Sequence, residues 1–480
     1  MIDGRETGMT QAVGSSLLAR IKGLAGKWRG IAGQGRAGGE VALAPDLPDA
    51  DLSTLERQMR ACLEARGGEV SARARAAALG RAYLALNPEG RGRFLKLLAE
   101  GFGPDRAAVD AAAARLAGAD GPARASAEAS LRAALEPPRL KLLTQFNALP
   151  EGVKFLVDLR AELLGLAKGD PALAALEADL KGLLAAWFDV GFLELHRITW
   201  RSPALVLERI MAYEAVHAIQ GWDDLKNRLD SDRRLYAFFH PRMPDEPLIF
   251  VEVALVKGIA GDIHDLLDAD APVEDPAGAD TAIFYSINNA QKGLAGISFG
   301  NFLIKRVVED LSREFPRLKT FATLSPIPGF RAWLDERLAR GEPNLLTPAE
   351  HRALTQASNG SLGAKGSLKA ILAEPDWVAE PLLAETLRAP LTRLAARFVA
   401  MEKRSDGRAL DAVAHFHLSN GARVERLNWL ADRSSKGLGQ ACGLMVNYLY
   451  KQDEIEANHE AYSASGKVAV SAEVRGVIKG

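Results

Sequence analysis

Cysteine is nearly absent from this sequence of 480 residues, which contains only Cys62 and Cys442. Two cysteines can form neither the disulfide framework of a small secreted domain nor a zinc cluster built from cysteines. The sequence therefore predicts a protein that folds around an apolar core in a reducing compartment. With 48% hydrophobic residues, the chain has enough apolar side chains for such a core.

An excess of charge and a long hydrophobic run are also missing. The formal net charge is −1, which gives no overall electrostatic reason to bind nucleic acid or an anionic membrane surface. No run of about 18 apolar residues occurs, and the first residues do not have the sustained apolar segment of an export signal. We therefore expect a soluble protein that is not exported, in which any anion site is local.

The length predicts more than one domain, because a single core rarely grows beyond about 250–300 residues. Residues 1–50 are rich in Ala, Gly and Arg and predict a flexible leader. Residues 51–188 have apolar side chains about 3.6 positions apart, which predicts a bundle of helices. The stretch STLE beginning at Ser53 has the form of a capping box. We interpret the bundle as a packing or oligomerisation domain.

The apolar pattern changes in residues 189–480, which we predict to be the catalytic domain. Strands are predicted for LYAFFHPRMPDEPLIFVEVALV, as two strands around a connection, for TAIFYSI and for LKTFATLS. An amphipathic helix is predicted for NFLIKRVVEDLSREF, between the last two of these segments. Strands mixed with helices make this half α/β or α+β, and chemistry is expected in it. For the whole chain, an all-helical half followed by a mixed half, we predict the α+β class.

Two histidines precede an Asn-Gly pair at Asn420 and Gly421, a dipeptide typical of a two-residue hairpin turn. We therefore expect a strand on each side of the turn, with His415 and His417 on one strand face. Such a pair could in principle bind a metal, but no third ligand lies nearby in the sequence. One histidine is thus predicted to be structural and the other to be an acid or base.

A glycine-rich loop is predicted between the strand TAIFYSI and the amphipathic helix. Gly293, Gly296 and Gly300 would let backbone amides approach a pyrophosphate, and the helix N-terminus would add partial positive charge. Lys305 and Arg306, early in the helix, could add to that charge. The alternative is a tight connection with no ligand, because a glycine-rich turn alone is a weak signal.

The same loop matches the G-x-S-x-G pattern of a hydrolase nucleophile elbow through Gly296, Ser298 and Gly300. An elbow requires a strand that runs almost directly into the first glycine, whereas residues 288–295 intervene here. A serine hydrolase built on Ser298 is therefore the less favoured interpretation.

A second candidate serine lies in FATLSPIPGF, where Ser325 ends a predicted strand. Pro326 and Pro328 stiffen the chain after it, because proline fixes its own φ and restricts the preceding residue. Such rigidity suits a positioned hydrogen-bonding group. A turn serine that bonds to nearby backbone is the alternative.

Four segments of the sequence resemble the malonyl-CoA decarboxylase family and occur in the same order. They are FYSINNAQKGLAGISFGNFLIKRVVEDL, LSPIPGF, VAHFHLSNGARVERLNW and GLMVNYLY. The resemblance extends back through WFDVGFLELHRITWRSP into the helical half and covers most of the chain beyond the leader. It implies a helical oligomerisation domain followed by a catalytic domain similar to the GNAT acyltransferases, with a mixed, mostly antiparallel sheet.

The resemblance also implies site residues. Ser325 and His417 match the family's catalytic pair, and Ser286 and Tyr450 match positions that line its active site. Asn447 would share a face with Tyr450 if that segment were helical. The substrate and its CoA group would contact Ser325, His417 and a loop composed of Ala295, Gly296, Ile297, Ser298, Phe299, Gly300 and Asn301.

The family chemistry would convert malonyl-CoA to acetyl-CoA and CO2. We expect the imidazolium of His417, with a pKa near the working pH, to protonate the carbanion. The thioester itself accepts the electrons, so no metal, biotin or pyridoxal phosphate is predicted as a cofactor. Malonyl-CoA is the expected partner, in a homo-oligomer such as a tetramer, with no nucleic acid or membrane partner.

A cytoplasmic location is expected, since the sequence ends Val-Ile-Lys-Gly without the peroxisomal Ser-Lys-Leu of some relatives. Two functions of other classes remain open. One is a CoA-dependent acyltransferase that uses the same loop with an acceptor. The other is a noncatalytic acyl-CoA-binding protein.

Overall fold

The computed structural model describes residues 23–31, 43–64, 68–297, 302–358, 368–374 and 376–479. Helices account for the regular structure of the described residues as far as residue 188, and strands mix with helices beyond it, so the predicted α+β class is confirmed. The chain forms two compact units. One comprises 1–194, 239–248 and 290–299, and the other comprises 195–238, 249–289 and 300–480. The predicted domain boundaries at residues 50 and 188 stay a prediction.

The first unit is built from helices, several of which begin at proline or follow a capping side chain. They are α1 (23–31), α2 (Asp49–Leu63), α3 (Gly68–Ala85), α4 (Pro88–Gly101), α5 (Arg106–Ala117), α6 (Pro122–Leu135), α7 (Pro138–Asn147), α8 (Gly152–Leu166) and α9 (Pro171–Trp187). The side chains of Asn87, Asp105 and Asp170 accept hydrogen bonds from the first amides of α4, α5 and α9. These N-caps fix the residue at which each of the three helices begins, which allows the short connections of a bundle.

The capping box predicted at Ser53 is wrong, because α2 already begins at Asp49 and Ser53 lies inside it. The preceding residue, Pro48, is extended and makes no side-chain cap. A Ser-x-x-Glu pattern caps a helix only when the serine backbone is extended, and here the helix has started one turn earlier.

Part of the predicted leader is folded. The α1 residue Trp28 is fully buried, its ring centroid lies 5.1 Å from that of Phe155, and its indole N–H donates to the carbonyl of Pro150 at 2.9 Å. A Cβ atom at Gly80 would lie 2.0 Å from the Trp28 ring, so the glycine makes room for it. One aromatic residue thus fastens α1 to the bundle.

The second unit contains most of one mixed sheet. Its strands are β1 (Glu194–Ile198), β2 (Arg233–Phe239), β3 (Ile249–Val256), β4 (Thr281–Asn289), β5 (Thr320–Thr323), β6 (Ser325–Pro326), β7 (Arg423–Asn428) and β8 (Met445–Leu449). Their order is β1-β2-β3-β4-β5-β8-β6, and β7 also pairs with β8. The strands β4 and β5 are parallel, whereas antiparallel pairing joins β2 to β3, β3 to β4, and β8 to β5, β6 and β7.

Helices connect and cover the strands of the second unit. They are α10 (Ala204–Tyr213), α11 (Trp222–Asn227), α12 (Ile263–Leu267), α13 (Phe302–Glu314), α14 (Phe330–Ala339), α15 (Pro348–Ala357), α16 (Leu368–Ala373), α17 (Pro381–Ala400), α18 (Ala412–Ser419), α19 (Ser435–Ala441), α20 (Ile455–Ser465) and α21 (Ala472–Lys479). The predicted amphipathic helix corresponds to α13. It connects the parallel strands β4 and β5, which require a crossover rather than a tight turn.

A β-bulge interrupts β4 near the residues that the sequence analysis selected. Ser286 pairs with Glu252 and Phe284 pairs with Val253, so Tyr285 is the extra residue between them. A bulge locally disrupts the hydrogen-bond ladder and redirects side chains. It thereby sets the direction in which Ser286 leaves the strand.

The hairpin predicted at Asn420 and Gly421 is wrong. The histidines lie in α18, and Gly421 (φ +80°) ends this helix. The amide of Gly421 donates to Leu418 O and that of Ala422 donates to His417 O, both at 3.1 Å, which is the Schellman pattern. An Asn-Gly pair can adopt the backbone conformation that ends a helix as readily as that of a hairpin turn. Of the two strands predicted around the pair, only the second, β7, forms.

The proposed helical turn between Asn447 and Tyr450 is also wrong, because Asn447 lies in strand β8 and Tyr450 directly follows it. The buried Asn447 amide donates to Thr323 O at 2.7 Å and its oxygen accepts from Asn428 at 2.8 Å. Asn447 therefore links strands rather than sharing a face with Tyr450.

Candidate active site

The structure brings Ser325, His417 and Tyr450 together in the second unit. The Ser325 hydroxyl oxygen lies 3.1 Å from His417 Nε2, and His417 Nδ1 lies 2.8 Å from the Tyr450 hydroxyl oxygen. All three residues are buried. Both ring nitrogens of His417 therefore have a hydroxyl partner, an arrangement suited to moving a proton in a site that excludes water.

Three separate elements supply these side chains. Ser325 lies in β6 and pairs with Val446 of β8, and the Tyr450 amide donates to Phe321 O at 2.8 Å. His417 is in the last turn of α18. Because a sheet fixes two members and a capped helix fixes the third, the three groups keep their mutual geometry without a flexible loop.

Thr323 extends this set on the serine side. Its hydroxyl oxygen lies 2.8 Å from the Ser325 hydroxyl oxygen and accepts the Tyr448 amide at 3.1 Å. Thr323 is fully buried. The four side chains of Tyr450, His417, Ser325 and Thr323 form one continuous series of hydrogen bonds.

The protein environment keeps the His417 ring neutral. Burial lowers the pKa of His417 to about 3, because a buried imidazolium loses its hydration. Burial also raises the pKa of Tyr450 well above its ordinary value, so the phenol retains its proton. The ring of Tyr448 stacks on the imidazole with centroids 4.5 Å apart. The expected imidazolium with a pKa near the working pH is therefore not the form that this structure favours.

His415 lies apart from this set. Its Nδ1 is 2.8 Å from the hydroxyl oxygen of Tyr462, and burial and the charges of Arg404 and Arg408 lower its pKa. On a helix, residues two positions apart point to opposite sides, so the predicted common face of His415 and His417 is wrong.

Ser286 contacts a different buried group. Its hydroxyl donates to Glu214 Oε2 at 2.8 Å, and the Asn288 amide donates to the same oxygen at 2.6 Å. Glu214 Oε1 accepts the backbone amides of Val216 and His217 at 2.7 and 2.8 Å. Four donors thus surround one carboxylate, which fixes the orientation of Ser286.

A second carboxyl group lies close to Glu214. Glu252 is fully buried, and its Oε2 accepts a hydrogen bond from Arg228 Nη1 at 3.0 Å. Burial and the negative charge of Glu214 raise the pKa of Glu252 from 4.5 to about 8. Both effects favour the protonated form of the Glu252 carboxyl group, and the nearby Arg228 guanidinium opposes them.

The first part of the predicted CoA loop belongs to the first unit. Residues 295–297 are described, whereas 298–301, which include the serine of the G-x-S-x-G pattern, lie outside the described residues. Lys305 and Arg306 are exposed residues of α13. The hydrolase interpretation and the contacts expected of the last four loop residues stay predictions.

Arg160 holds the backbone of this loop. Its guanidinium donates to the carbonyls of Gly293 and Ala295 at 2.6 and 2.9 Å and is almost fully buried. Gly296 has φ +72°, and a Cβ atom there would lie 3.3 Å from the Lys181 ammonium group. Two cations from the helical region, which the sequence analysis treated as packing, thus lie beside the loop.

Three residues of these sites, Thr323, Glu214 and Arg160, were not predicted from the sequence. A signal existed for Thr323, because residues two apart on a strand share a face and Thr323 precedes Ser325 by two. No local pattern indicated Glu214 or Arg160, since their partners are 72 and 133 residues away in the sequence.

Within the described ranges, no group of three or more His, Cys, Asp and Glu side chains is arranged to hold a metal ion. None of the helices that the structure describes is both long and apolar enough to cross a membrane.

The fold and the site together define a class: an α+β protein in which a helical region precedes a mixed sheet that buries a serine, a histidine and a tyrosine in mutual contact. Residues 191–480 match the malonyl-CoA decarboxylase C-terminal domain, and residues 102–188 match the malonyl-CoA decarboxylase N-terminal domain. The chain belongs to the malonyl-CoA decarboxylase family, which confirms the resemblance seen in the sequence.

Relatives are similar over nearly their whole length. The mitochondrial malonyl-CoA decarboxylase of Anser anser anser is 36% identical over 480 residues, covering 95% of this chain and 93% of the relative. That of Mus musculus is 40% identical over 405 residues, covering 81% and 82%.

Crystal structures show the same architecture. The malonyl-CoA decarboxylase from Rhodopseudomonas palustris matches with a TM-score of 0.81 and 44% identity, covering 88% of this chain and 99% of that one. The protein from Agrobacterium vitis matches with a TM-score of 0.80 and 43% identity over the same shares.

Proposed function

We propose that this chain decarboxylates malonyl-CoA, taking up one proton and releasing acetyl-CoA and CO2. The observation that carries the proposal is the buried contact of Ser325, His417 and Tyr450 in a chain that belongs to the malonyl-CoA decarboxylase family. A neutral, enclosed acid–base group suits a reaction that creates and then protonates a carbanion.

Loss of CO2 leaves negative charge on the α-carbon and the thioester oxygen. Hydrogen-bond donors aimed at such an oxygen contribute about 3 to 4 kcal/mol each. The Tyr450 phenol is one candidate donor, and a backbone amide at the Tyr285 bulge is another. The Ser286 proton is already donated to Glu214, so we assign Ser286 to shaping the site rather than to binding the oxyanion.

Protonation of the carbanion requires His417 to gain a proton first. The carboxylate of malonyl-CoA, placed against the ring, supplies an opposite charge that raises the pKa of His417. When CO2 leaves, that charge moves to the enolate, and the imidazolium gives up its proton to the α-carbon. General acid catalysis of this kind contributes roughly 10² to 10⁴ in rate.

Ser325 acts without forming a covalent bond in this proposal. Its oxygen accepts from His417 Nε2–H and its proton is directed to Thr323, so it orients the imidazole and contacts the substrate. The less favoured variant is an acyl-enzyme on Ser325. Intact-mass analysis after rapid quenching with malonyl-CoA separates the two, because an acyl adduct on Ser325 would exclude the noncovalent role.

The CoA moiety is proposed to bind at the loop 295–301, as in GNAT acyltransferases, with its phosphates near the amides that precede α13. The positive φ of Gly296 and the Lys181 ammonium group beside it support this assignment. No metal, biotin or pyridoxal phosphate is required. We expect Gly296→Val to raise KM for malonyl-CoA with a smaller change in kcat.

A homo-oligomer, such as a tetramer, in the cytoplasm is also proposed. Trp200 and Trp222 are 49% and 45% exposed and lie in edge-to-face contact, which is consistent with a surface that another subunit covers. Light scattering of the purified protein measures the oligomer, and fractionation of the source cells tests the location.

The decisive experiment for the proposed function incubates the purified chain with malonyl-CoA alone and follows acetyl-CoA by chromatography. Stoichiometric acetyl-CoA and CO2 support the decarboxylase. A requirement for an acceptor would indicate an acyltransferase instead, and binding without turnover would indicate an acyl-CoA-binding protein.

A further inference from the structure

The series of hydrogen bonds through the site has two possible directions. It joins Tyr450 to His417 Nδ1, His417 Nε2 to Ser325, and Ser325 to Thr323, at 2.8, 3.1 and 2.8 Å. A neutral imidazole has one N–H, so one ring nitrogen donates and the other accepts. The direction decides whether Ser325 accepts a proton from the ring or offers its own.

In the forward direction, the Tyr450 phenol donates to Nδ1, His417 Nε2–H donates to Ser325, and Ser325 donates to Thr323. In the reverse direction, Thr323 donates to Ser325, Ser325 to Nε2, and Nδ1–H to Tyr450. The reverse direction leaves the Tyr450 proton without an acceptor among the described residues, although Tyr450 is buried.

Donor strength favours the forward direction. There the Thr323 proton is the one without an acceptor among the described residues, and an aliphatic hydroxyl is a weaker donor than a phenol. A buried donor without a partner costs free energy that increases with its polarity. The Tyr448 amide occupies one lone pair of Thr323 Oγ1, which leaves the other for the Ser325 proton.

We propose that Thr323 is a positioning residue that sets the direction of this series by accepting the Ser325 proton. Ser325 then presents a lone pair to His417 and holds the ring in its Nε2–H tautomer. In this tautomer Nδ1 is the basic nitrogen. Nε2 already carries a hydrogen, so it cannot accept the Ser325 proton. The inference rests on the proposed function for its catalytic meaning.

The same direction suits the protonated ring that the reaction needs. An imidazolium donates from both nitrogens, so Nε2–H can keep its bond to Ser325 while Tyr450 rotates to accept from Nδ1–H. The Tyr450 proton is then released toward the substrate oxygen. Thr323 thus keeps Ser325 accepting in both protonation states of His417.

The tautomer of His417 can be read directly by nitrogen-15 NMR of histidine-labelled protein without any substrate. The His417 signals are identified by their loss in His417→Asn. We expect the Nε2–H tautomer in the wild type and in Thr323→Ser. In Thr323→Val the Ser325 proton has only His417 to bond to, so the ring should change to the Nδ1–H tautomer.

A matched control removes a hydroxyl from the neighbouring strand. Thr281 is equally buried, at 1% exposure, and its hydroxyl donates to Asp280 rather than to the site. Thr281→Val should therefore leave the His417 tautomer and kcat unchanged. If Thr323→Val fails to fold, the His417 tautomer is measured in Thr323→Ala instead. The tautomer of the wild-type protein tests the inference without any variant.

Activity supplies the second readout. Thr323→Val should lower kcat roughly tenfold with KM within about twofold, because it disturbs the orientation of the acid rather than binding. Thr323→Ser should restore kcat. If Thr323 had only a structural role, its replacement by Val would lower the stability of the protein without changing the His417 tautomer.

An Nδ1–H tautomer in the wild type, or an unchanged tautomer in a folded Thr323→Val protein, would overturn the inference. Because the NMR measurement needs no malonyl-CoA, it is independent of the proposed activity. The predicted tautomers in a protein that releases no acetyl-CoA would refute the decarboxylase and leave the role of Thr323 intact.

Discussion

At the scale of single residues, burial decides what His417 does. Among the described residues, the polar partners of the ring are two hydroxyl groups, and the ring of Tyr448 stacks on it. Burial therefore favours the neutral imidazole, and in the proposed mechanism the ring gains a proton only when the substrate brings a negative charge. His415, two positions earlier, bonds to Tyr462 and serves as its natural control.

Replacing His417 with Asn should lower decarboxylation at least a hundredfold and leave CoA binding nearly intact, because general acid catalysis is lost while the loop is untouched. His415→Asn should lose much less. Steady-state kinetics with malonyl-CoA, together with calorimetry of CoA binding, measure both effects. Equal activity of the two variants would remove His417 from its proposed role.

At the scale of elements, the end of α18 carries the largest difference between expectation and structure. Periodicity correctly indicated β2, β3, β4 and α13, because long apolar patterns depend on which side of an element is buried. The Asn-Gly pair could not distinguish a hairpin from the end of a helix, because a hairpin turn and a Schellman motif both need positive φ at a glycine. The identity of the site serine and histidine came from the resemblance, whereas Thr323 and Glu214 became evident only when distant strands and loops met.

Gly421→Ala should destabilise the protein by at least about 1 kcal/mol, because φ +80° strains any residue with a Cβ atom. That atom would also lie 2.2 Å from the carbonyl of Ile455. Urea unfolding measures the loss of free energy of unfolding.

Gly407 is the matched control for this change, with φ +78° and no atom within 4 Å of the added Cβ. Gly407→Ala should show the cost of the backbone strain alone. Equal losses for the two variants would mean that the contact with Ile455 contributes nothing.

At the scale of the whole molecule, Glu252 couples the stability of the protein to pH. Its pKa is raised in the folded state, from 4.5 to about 8, so this carboxyl group binds more protons in the folded protein than in the unfolded chain between these values. The contribution of Glu252 to the free energy of unfolding therefore falls as the pH rises through this window, by up to about 1.4 kcal/mol per pH unit.

Glu252→Gln removes this dependence while keeping the size of the side chain. The difference in free energy of unfolding, variant minus wild type, should rise between pH 4.5 and 8 and level off above. Urea unfolding at a series of pH values measures it. A difference that stays constant across the window would show that Glu252 titrates normally.

The hydrogen bonds from Arg160 to the carbonyls of Gly293 and Ala295 determine which truncated forms of this chain should keep the loop in place. A shortened protein that starts near residue 189 would retain every side chain around His417 yet lack the guanidinium that fastens the approach to the nucleotide loop. Such a truncation should fold poorly around residues 290–297 and bind CoA weakly. In that case the proposed CoA site depends on the amino-terminal half of the chain as well as on the carboxy-terminal half.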